Sequence, residues 1–320
     1  MILRNYIPAF VVLALLLLVP FIWNSSGALN FLTYTLIVAL GAIGWNILGG
    51  IAGQTSFGHA AFFGVGAYFV ALWQINFGLP AWSGFLLAII AGSLVALIIG
   101  YLSFRAGLRG SYFALVTLAF AEVLRVLANS FSLTGGAAGR LLPINYGIGS
   151  LQFENPLYFY FLTLLVVTIA LLFMVWVVRS RFGAQLIAIK ENEDAAKALG
   201  VDTLKRKLQV IAISGAITAA SGALYVQYFL YIDPILAFSP KMSIEVLLAT
   251  MVGGIGTVLG PVVGAFALHF LGEGVKFFTG DVPGVDIAIY GLVLIIAVCF
   301  MPRGLLSLIE KVRLKTRFKN

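Results

Sequence analysis

The side chains that could do chemistry in this sequence are few, and their spacing suits hydrogen bonding and pairing better than bond-making. His59 closes the run Gln54-Thr55-Ser56-Phe57-Gly58-His59, in which Gln54, Thr55 and Ser56 offer side-chain hydrogen bonds beside glycines that loosen the backbone. Such a run can line a polar path or pack a buried histidine. Glu122 and Arg125 stand three apart, the spacing at which opposite charges on one helix neutralise each other. Glu245 opens a second glycine-rich stretch, where it could hold a path or sit at an interface. No nucleophile stands beside a base. The one cysteine, Cys299, lies in an apolar run, and with only two histidines a metal site is not expected. No G-x-x-x-x-G-K-[ST] run occurs, so an ATP-driven process would need the nucleotide and its magnesium to be bound by another subunit.

A different kind of pattern lies at Lys190–Gln209, KENEDAAKALGVDTLKRKLQ. Asn192 can cap a short helix, Glu193 and Asp194 suit its positive end, and Gly200 suits its stop. Ala195, Ala196 and Leu199 would then make a small apolar face. That face has little area for lipid but fits a groove on another protein, or it packs on the chain's own bundle.

The elements that must position these residues are membrane helices. Of 320 residues, 61% are hydrophobic and 10% charged, against about 25% charged in soluble domains, and the mean hydropathy is +1.06. A net charge of +8 could suggest a nucleic-acid partner, but the basic residues flank apolar segments, so topology explains them better. A crossing needs about 20 apolar residues. Candidate spans are Tyr6–Trp23, Ala28–Leu48, Phe57–Trp73, Pro80–Leu102, Ser111–Ala128, Pro156–Val178, Leu208–Leu230, the long stretch Met242–Leu271, and Val285–Met301. The first is read as an uncleaved helix, not a signal peptide.

Arg179–Lys207 carries seven basic residues and the tail after Met301 six. The positive-inside rule therefore places the N-terminus, the 179–207 loop and the 302–320 tail in the cytoplasm. Parity then requires Met242–Leu271 to return to the side it left. Gly253, Gly254, Gly256, Gly260 and Pro261 interrupt it, and broken helices are tolerated where protein shields them from lipid. The expected fold is all-α: a single polytopic membrane domain over 1–320, with about eight crossings plus a re-entrant broken-helix pair, or ten helices. Gly49-Gly50-Ile51-Ala52-Gly53 and Gly253-Gly254-Ile255-Gly256 look alike, as paired breaks in transporters do.

Here a resemblance enters. Asp194-Ala195-Ala196-x-x-x-Gly200 is similar to the loop by which ABC importer permeases dock on their ATPase subunits. Gly53–Ala60 with Gly64-Val65-Gly66-Ala67-Tyr68, Leu108–Ala114 with Thr117-Leu118-Ala119-Phe120, Thr134-Gly135-Gly136, Ser243-Ile244-Glu245, Gly253-Gly254-Ile255-Gly256 and Pro302-Arg303-Gly304 follow in order. Together they resemble the LivM-like permeases of branched-chain amino-acid ABC importers. The departures are the lack of a proline in Val210-Ile211-Ala212-Ile213 and Asp233 where a small hydroxyl residue is expected.

The resemblance implies a multi-pass permease of a prokaryotic plasma (inner) membrane and not an enzyme. Its partners would be two cytoplasmic ATP-binding subunits, a second homologous permease subunit and an extracytoplasmic binding protein. It makes Glu193, Asp194, Ala195, Ala196 and Gly200 the ATPase-coupling residues. Gln54, Thr55, Ser56, His59, Glu122, Gly253, Gly254 and Gly256 are expected along the translocation path. Leucine, isoleucine and valine are the expected cargo, with urea or amides as alternatives. A stand-alone secondary transporter would need more coupling-ion ligands than Glu122, His59 and Glu245 supply.

Overall fold

The computed structural model describes residues 7–279, together with 288, 291–292 and 304–305. The last candidate span, Val285–Met301, and the basic tail fall almost wholly outside them. Twelve α-helices follow in order: α1 (Ile7–Ile22), α2 (Ser26–Trp45), α3 (His59–Phe77), α4 (Ala81–Arg105), α5 (Gly110–Ser130), α6 (Pro156–Arg179), α7 (Arg181–Glu191), α8 (Glu193–Ala198), α9 (Thr203–Phe229), α10 (Pro234–Ala237), α11 (Pro240–Gly253) and α12 (Gly260–Thr279). Among the described residues, seven segments are long and apolar enough to cross a membrane. Two-residue strands β1 (Arg140–Leu141) and β2 (Tyr231–Ile232) pair antiparallel and tie the loop after α5 to the end of α9.

Helix boundaries follow from local chemistry. Ser25 caps α2 by accepting from the Ala28 N–H, Asn155 caps α6 ahead of Pro156, and Asp202 caps α9 by accepting from the Lys205 N–H. Gly78, at φ 63°, ends α3 in the left-handed conformation.

α2 lies at the centre, with every residue from Leu32 to Trp45 buried except Tyr34. α9 packs against α2, α3 and α4. Where α3 meets α9 the backbones touch. A Cβ at Gly66 would stand 2.1 Å from the Ala219 carbonyl oxygen, and one at Gly222 1.9 Å from that of Phe63. Small residues at such crossings let membrane helices pack without a hydrophobic driving force. The periphery is apolar outward. Leu86, Ile90, Leu94 and Ile98, four apart along α4, form an exposed stripe that suits lipid.

The stretch Met242–Leu271 is a helix hairpin, with α11 and α12 as its arms. Gly253 packs on Gly260, Gly264 on Ala249 and His269 on Glu245, the register of antiparallel neighbours. Its turn reaches Gly50 at the end of the bundle that carries α7, because a Cβ at Gly50 would meet the Gly256 nitrogen at 2.7 Å and the Lys190 Nζ donates to the Gly50 carbonyl. The arms therefore run the depth of the bundle. A hairpin of this form fits both arrangements expected from parity, the re-entrant pair and the ten-helix form.

Candidate functional site

The charged stretch between α6 and α9 folds into two helices. α7, a helix that the charged composition had concealed, is capped by Ser180, which accepts from the Gly183 N–H, and buries Gly183, Leu186 and Ile189. At its end the Lys190 Nζ donates to the Gly50 carbonyl at 2.8 Å. The short α8 follows, with the Asn192 Oδ1 accepting from the Ala195 N–H at 3.0 Å and Glu193 and Asp194 in the first turn. Gly200, at φ 84°, stops it, and the Val201 N–H closes back on the Ala196 carbonyl.

The apolar face of α8 differs from the expected one. Ala196 is buried against the bundle, whereas Ala195 and Leu199 are exposed, Leu199 at 85%. Consecutive helical residues point about 100° apart, so Ala196 cannot share a face with its neighbour, while Ala195 and Leu199, four apart, can. The outward face is thus Ala195 and Leu199, with Asp194 beside it.

Three ion pairs fasten α8 to the bundle. Arg109, at the N-terminus of α5, places Nε 3.1 Å from the Glu193 Oε2 and Nη2 3.1 Å from the Asp194 Oδ1. Lys207, buried in the first turns of α9, places Nζ 2.5 Å from the same Glu193 oxygen and lies over the Phe104 ring. The hydrogen bond from Arg109 holds the Asp194 carboxyl below the usual carboxylate range, and Asp194 in turn raises the guanidinium. Lys207 lies within the charged run but is not marked there as a partner of Glu193, and Arg109 lies outside the run. Arg109 lies 85 residues from Asp194 and belongs to a different motif.

A second polar region joins the two glycine-rich breaks. α2 continues into a π-helical turn, Asn46–Ile51, and the chain then runs without helix to His59. The buried Asn46 side chain crosses to the hairpin turn, donating through Nδ2 to the Thr257 carbonyl and accepting through Oδ1 from the Gly256 N–H, both at 2.8 Å. The stretches whose sequences look alike therefore meet in space, and Gly253, Gly254 and Gly256 form the turn itself.

The polar run is mostly locked inward. Gln54 donates to the Ala52 carbonyl, and the Ser56 Oγ accepts from the Gly58 N–H. The Trp45 Nε1 donates to the Ser56 carbonyl. His59 is fully buried, its Nε2 2.9 Å from the Ser214 Oγ, which donates onward to the Gly44 carbonyl. Of the expected path residues in this run, Thr55 alone is exposed. α5 backs the run through Thr117, whose Oγ1 accepts from the Phe57 N–H.

Further along α5, Glu122 and Arg125 pair as their spacing suggests, with the Arg125 Nε 2.9 Å from the Glu122 Oε2. Their side chains stay 46% and 31% exposed. They join neither the Ser56–His59 cluster nor the hairpin turn through any hydrogen bond or ion pair described.

One cluster showed only its Glu245 in the sequence and none of that residue's partners. Glu245, which could have been interfacial, is 2% exposed. His269 approaches it from α12 with Nε2 at 2.9 Å, and the Tyr34 hydroxyl donates to both its oxygens at 3.0 and 3.1 Å. The His269 Nδ1 lies 2.8 Å from the Thr35 Oγ1. Residues 211 and 234 positions apart meet here only through packing of α2 on the hairpin. Among the described residues no group of three or more His, Cys, Asp or Glu could hold a metal ion.

Comparison with known proteins adds to this geometry. Residues 27–298 match the model of a family described as branched-chain amino acid transport system / permease component. The chain is 27% identical over 308 residues to the high-affinity branched-chain amino acid transport system permease protein LivM of Salmonella typhimurium, covering 89% of this chain and 71% of that protein. It is 28% identical to the permease protein BraD of Pseudomonas aeruginosa over 87% of this chain and 94% of the other. The probable LivM permease of Methanocaldococcus jannaschii is 25% identical over 69% and 68%.

Proposed function

Since the chain belongs to the family of permease components of branched-chain amino acid transport systems, we propose that it carries leucine, isoleucine and valine inward as the membrane subunit of an ABC importer. Two ATP-binding subunits, which hold ATP and magnesium, dock from the α8 side. A second permease subunit completes the path, and a binding protein delivers cargo at the opposite face, by the loop after α5. The observation that carries this reading is the form of α8: a capped helix, ion-paired to α5 and α9 on one side, with Ala195 and Leu199 turned out on the other.

A zwitterion with an apolar side chain cannot cross hydrocarbon with its charges stripped of water. The path must replace that water with weak polar contacts, and exposed Thr55 and the half-exposed Glu122–Arg125 pair on α5 offer them. An ion pair facing lipid would be costly, which favours a wet or subunit-facing position for this side of α5.

Leu199→Asp tests the docking role, because a fully exposed position tolerates a polar side chain without unfolding. Tagged chain purified from its native membrane is expected to bring ATPase activity with it, and L199D to lose at least tenfold of both that activity and leucine uptake at an unchanged melting temperature. Normal uptake by L199D would refute docking at α8. Uptake that urea or amides compete away, and leucine does not, would refute the cargo.

A further inference from the structure

The hydrogen bonds around Glu245 can be counted proton by proton. Thr35 has one hydroxyl proton, placed to go either to the Phe31 carbonyl at 2.7 Å or to the His269 Nδ1 at 2.8 Å. With that proton on Phe31, the Thr35 Oγ1 accepts from the His269 Nδ1, 2.8 Å away, and Nδ1 carries a proton. The other ring nitrogen, Nε2, faces the Glu245 Oε1 at 2.9 Å. A bare Nε2 against a carboxylate would set two acceptors together. With Nδ1 protonated, one more proton lies between them, either on Nε2, giving imidazolium and carboxylate, or on Oε1, giving neutral imidazole and carboxylic acid. The Tyr34 hydroxyl donates to the carboxyl group in both cases.

We propose that Tyr34, Thr35, Glu245 and His269 form a proton-binding site, which holds one proton beyond those of a carboxylate and a neutral imidazole and so clamps α2 to the α11–α12 hairpin. The net charge of the Glu245–His269 pair is zero wherever that proton sits, which suits a site with side chains 2% and 5% exposed. The surrounding groups fit a closed pocket: the Tyr34 ring stacks on His269 at 5.0 Å, Phe31 meets its edge, and Tyr225 and Phe229 of α9 pack on Tyr34. The charged neighbours Lys241 and Glu273, one turn away on α11 and α12, are exposed. The clamp grips the hairpin far from its turn, and Asn46 grips the turn. Between the two, the Thr250 Oγ1 also lies 3.1 Å from the Ala42 carbonyl of α2.

The test needs no transport and stands apart from the cargo and partner reading. The chain contains two histidines, so nitrogen-15 histidine labelling of the full-length protein in lipid nanodiscs gives two ring systems, and His269→Gln assigns the one it removes. A protonated Nδ1 on His269, with Nε2 protonated or strongly hydrogen-bonded to a carboxyl, is expected. A bare Nδ1 with a protonated Nε2 would leave Glu245 an ordinary carboxylate and overturn the extra proton. The clamp is read from melting temperature. Glu245→Gln keeps an N–H for Nε2 and stays near wild type, whereas Glu245→Ala falls by about 5 °C or more. Equal melting of Glu245→Ala and wild type would overturn the clamp.

Discussion

Glu193 shows how much one side chain can hold when its partners come from distant parts of the chain. It is 16% exposed and meets the nearly buried Lys207 at 2.5 Å and Arg109 at 3.1 Å. Removing one member of a buried pair leaves the other charge without compensation, at a cost of roughly 3–5 kcal/mol. Lys207 would keep the Phe104 ring, which offsets on the order of 1 kcal/mol, and the attraction of the exposed Asp194. Glu193→Ala is therefore expected to destabilise the chain by about 3 kcal/mol, seen in chemical unfolding in detergent micelles by tryptophan fluorescence. Adding Lys207→Met removes the stranded charge and should restore much of the loss. If the double variant is as unstable as the sum of the singles, the two residues are not coupled. The sequence displayed Glu193 and its cap plainly, since Asn192 and Gly200 are local signals. It could not display Lys207, because a lysine in a basic run reads as a solvated charge until packing buries it.

At the scale of elements, the joint between α2 and the hairpin turn rests on Asn46. Its amide satisfies a backbone N–H and a backbone carbonyl in a region with no helix to do so. Within a membrane protein such groups have no water to fall back on. Asn46→Leu fills a similar volume but strands both, at about 1–3 kcal/mol each. The expected result is a loss of about 3 kcal/mol in the same unfolding measurement, with faster proteolysis at the 254–259 turn. Wild-type stability would mean that the turn is held by its glycine contacts alone. Spans and breaks were legible from hydropathy and glycine placement: α2, α4 and α6 lie within a few residues of where apolar runs begin and end. The alikeness of the two glycine stretches was legible too, but not that they touch, because contact depends on how α2 and the hairpin cross. α7 was hidden since its apolar residues are few and interspersed with charge, and Glu245–His269 because neither residue has a local partner.

Across the whole molecule, the surface divides into a lipid-compatible belt and a face that does not suit lipid. α4 shows the first, with Leu86, Ile90, Leu94 and Ile98 outward. α5 shows the second, with Glu122 and Arg125 exposed part-way along an otherwise apolar helix. An ionised pair in hydrocarbon costs several kcal/mol even when its members meet, whereas beside a wet path the same pair costs little. On the proposed function the two helices would face different surroundings in the assembled transporter, and that difference can be measured. Cys299 is the sole cysteine, so a Cys299→Ser background admits single probes. Glu122→Cys and Leu94→Cys are compared in membranes containing the full complex, using a membrane-impermeant thiol reagent that reacts with hydrated thiolates. Labelling at 122 is expected to be at least tenfold faster than at 94, and excess leucine should slow it if cargo passes there. Equal, slow labelling at both would place the α5 face against lipid or in a dry contact. The path would then have to be sought at Thr55 and the hairpin turn.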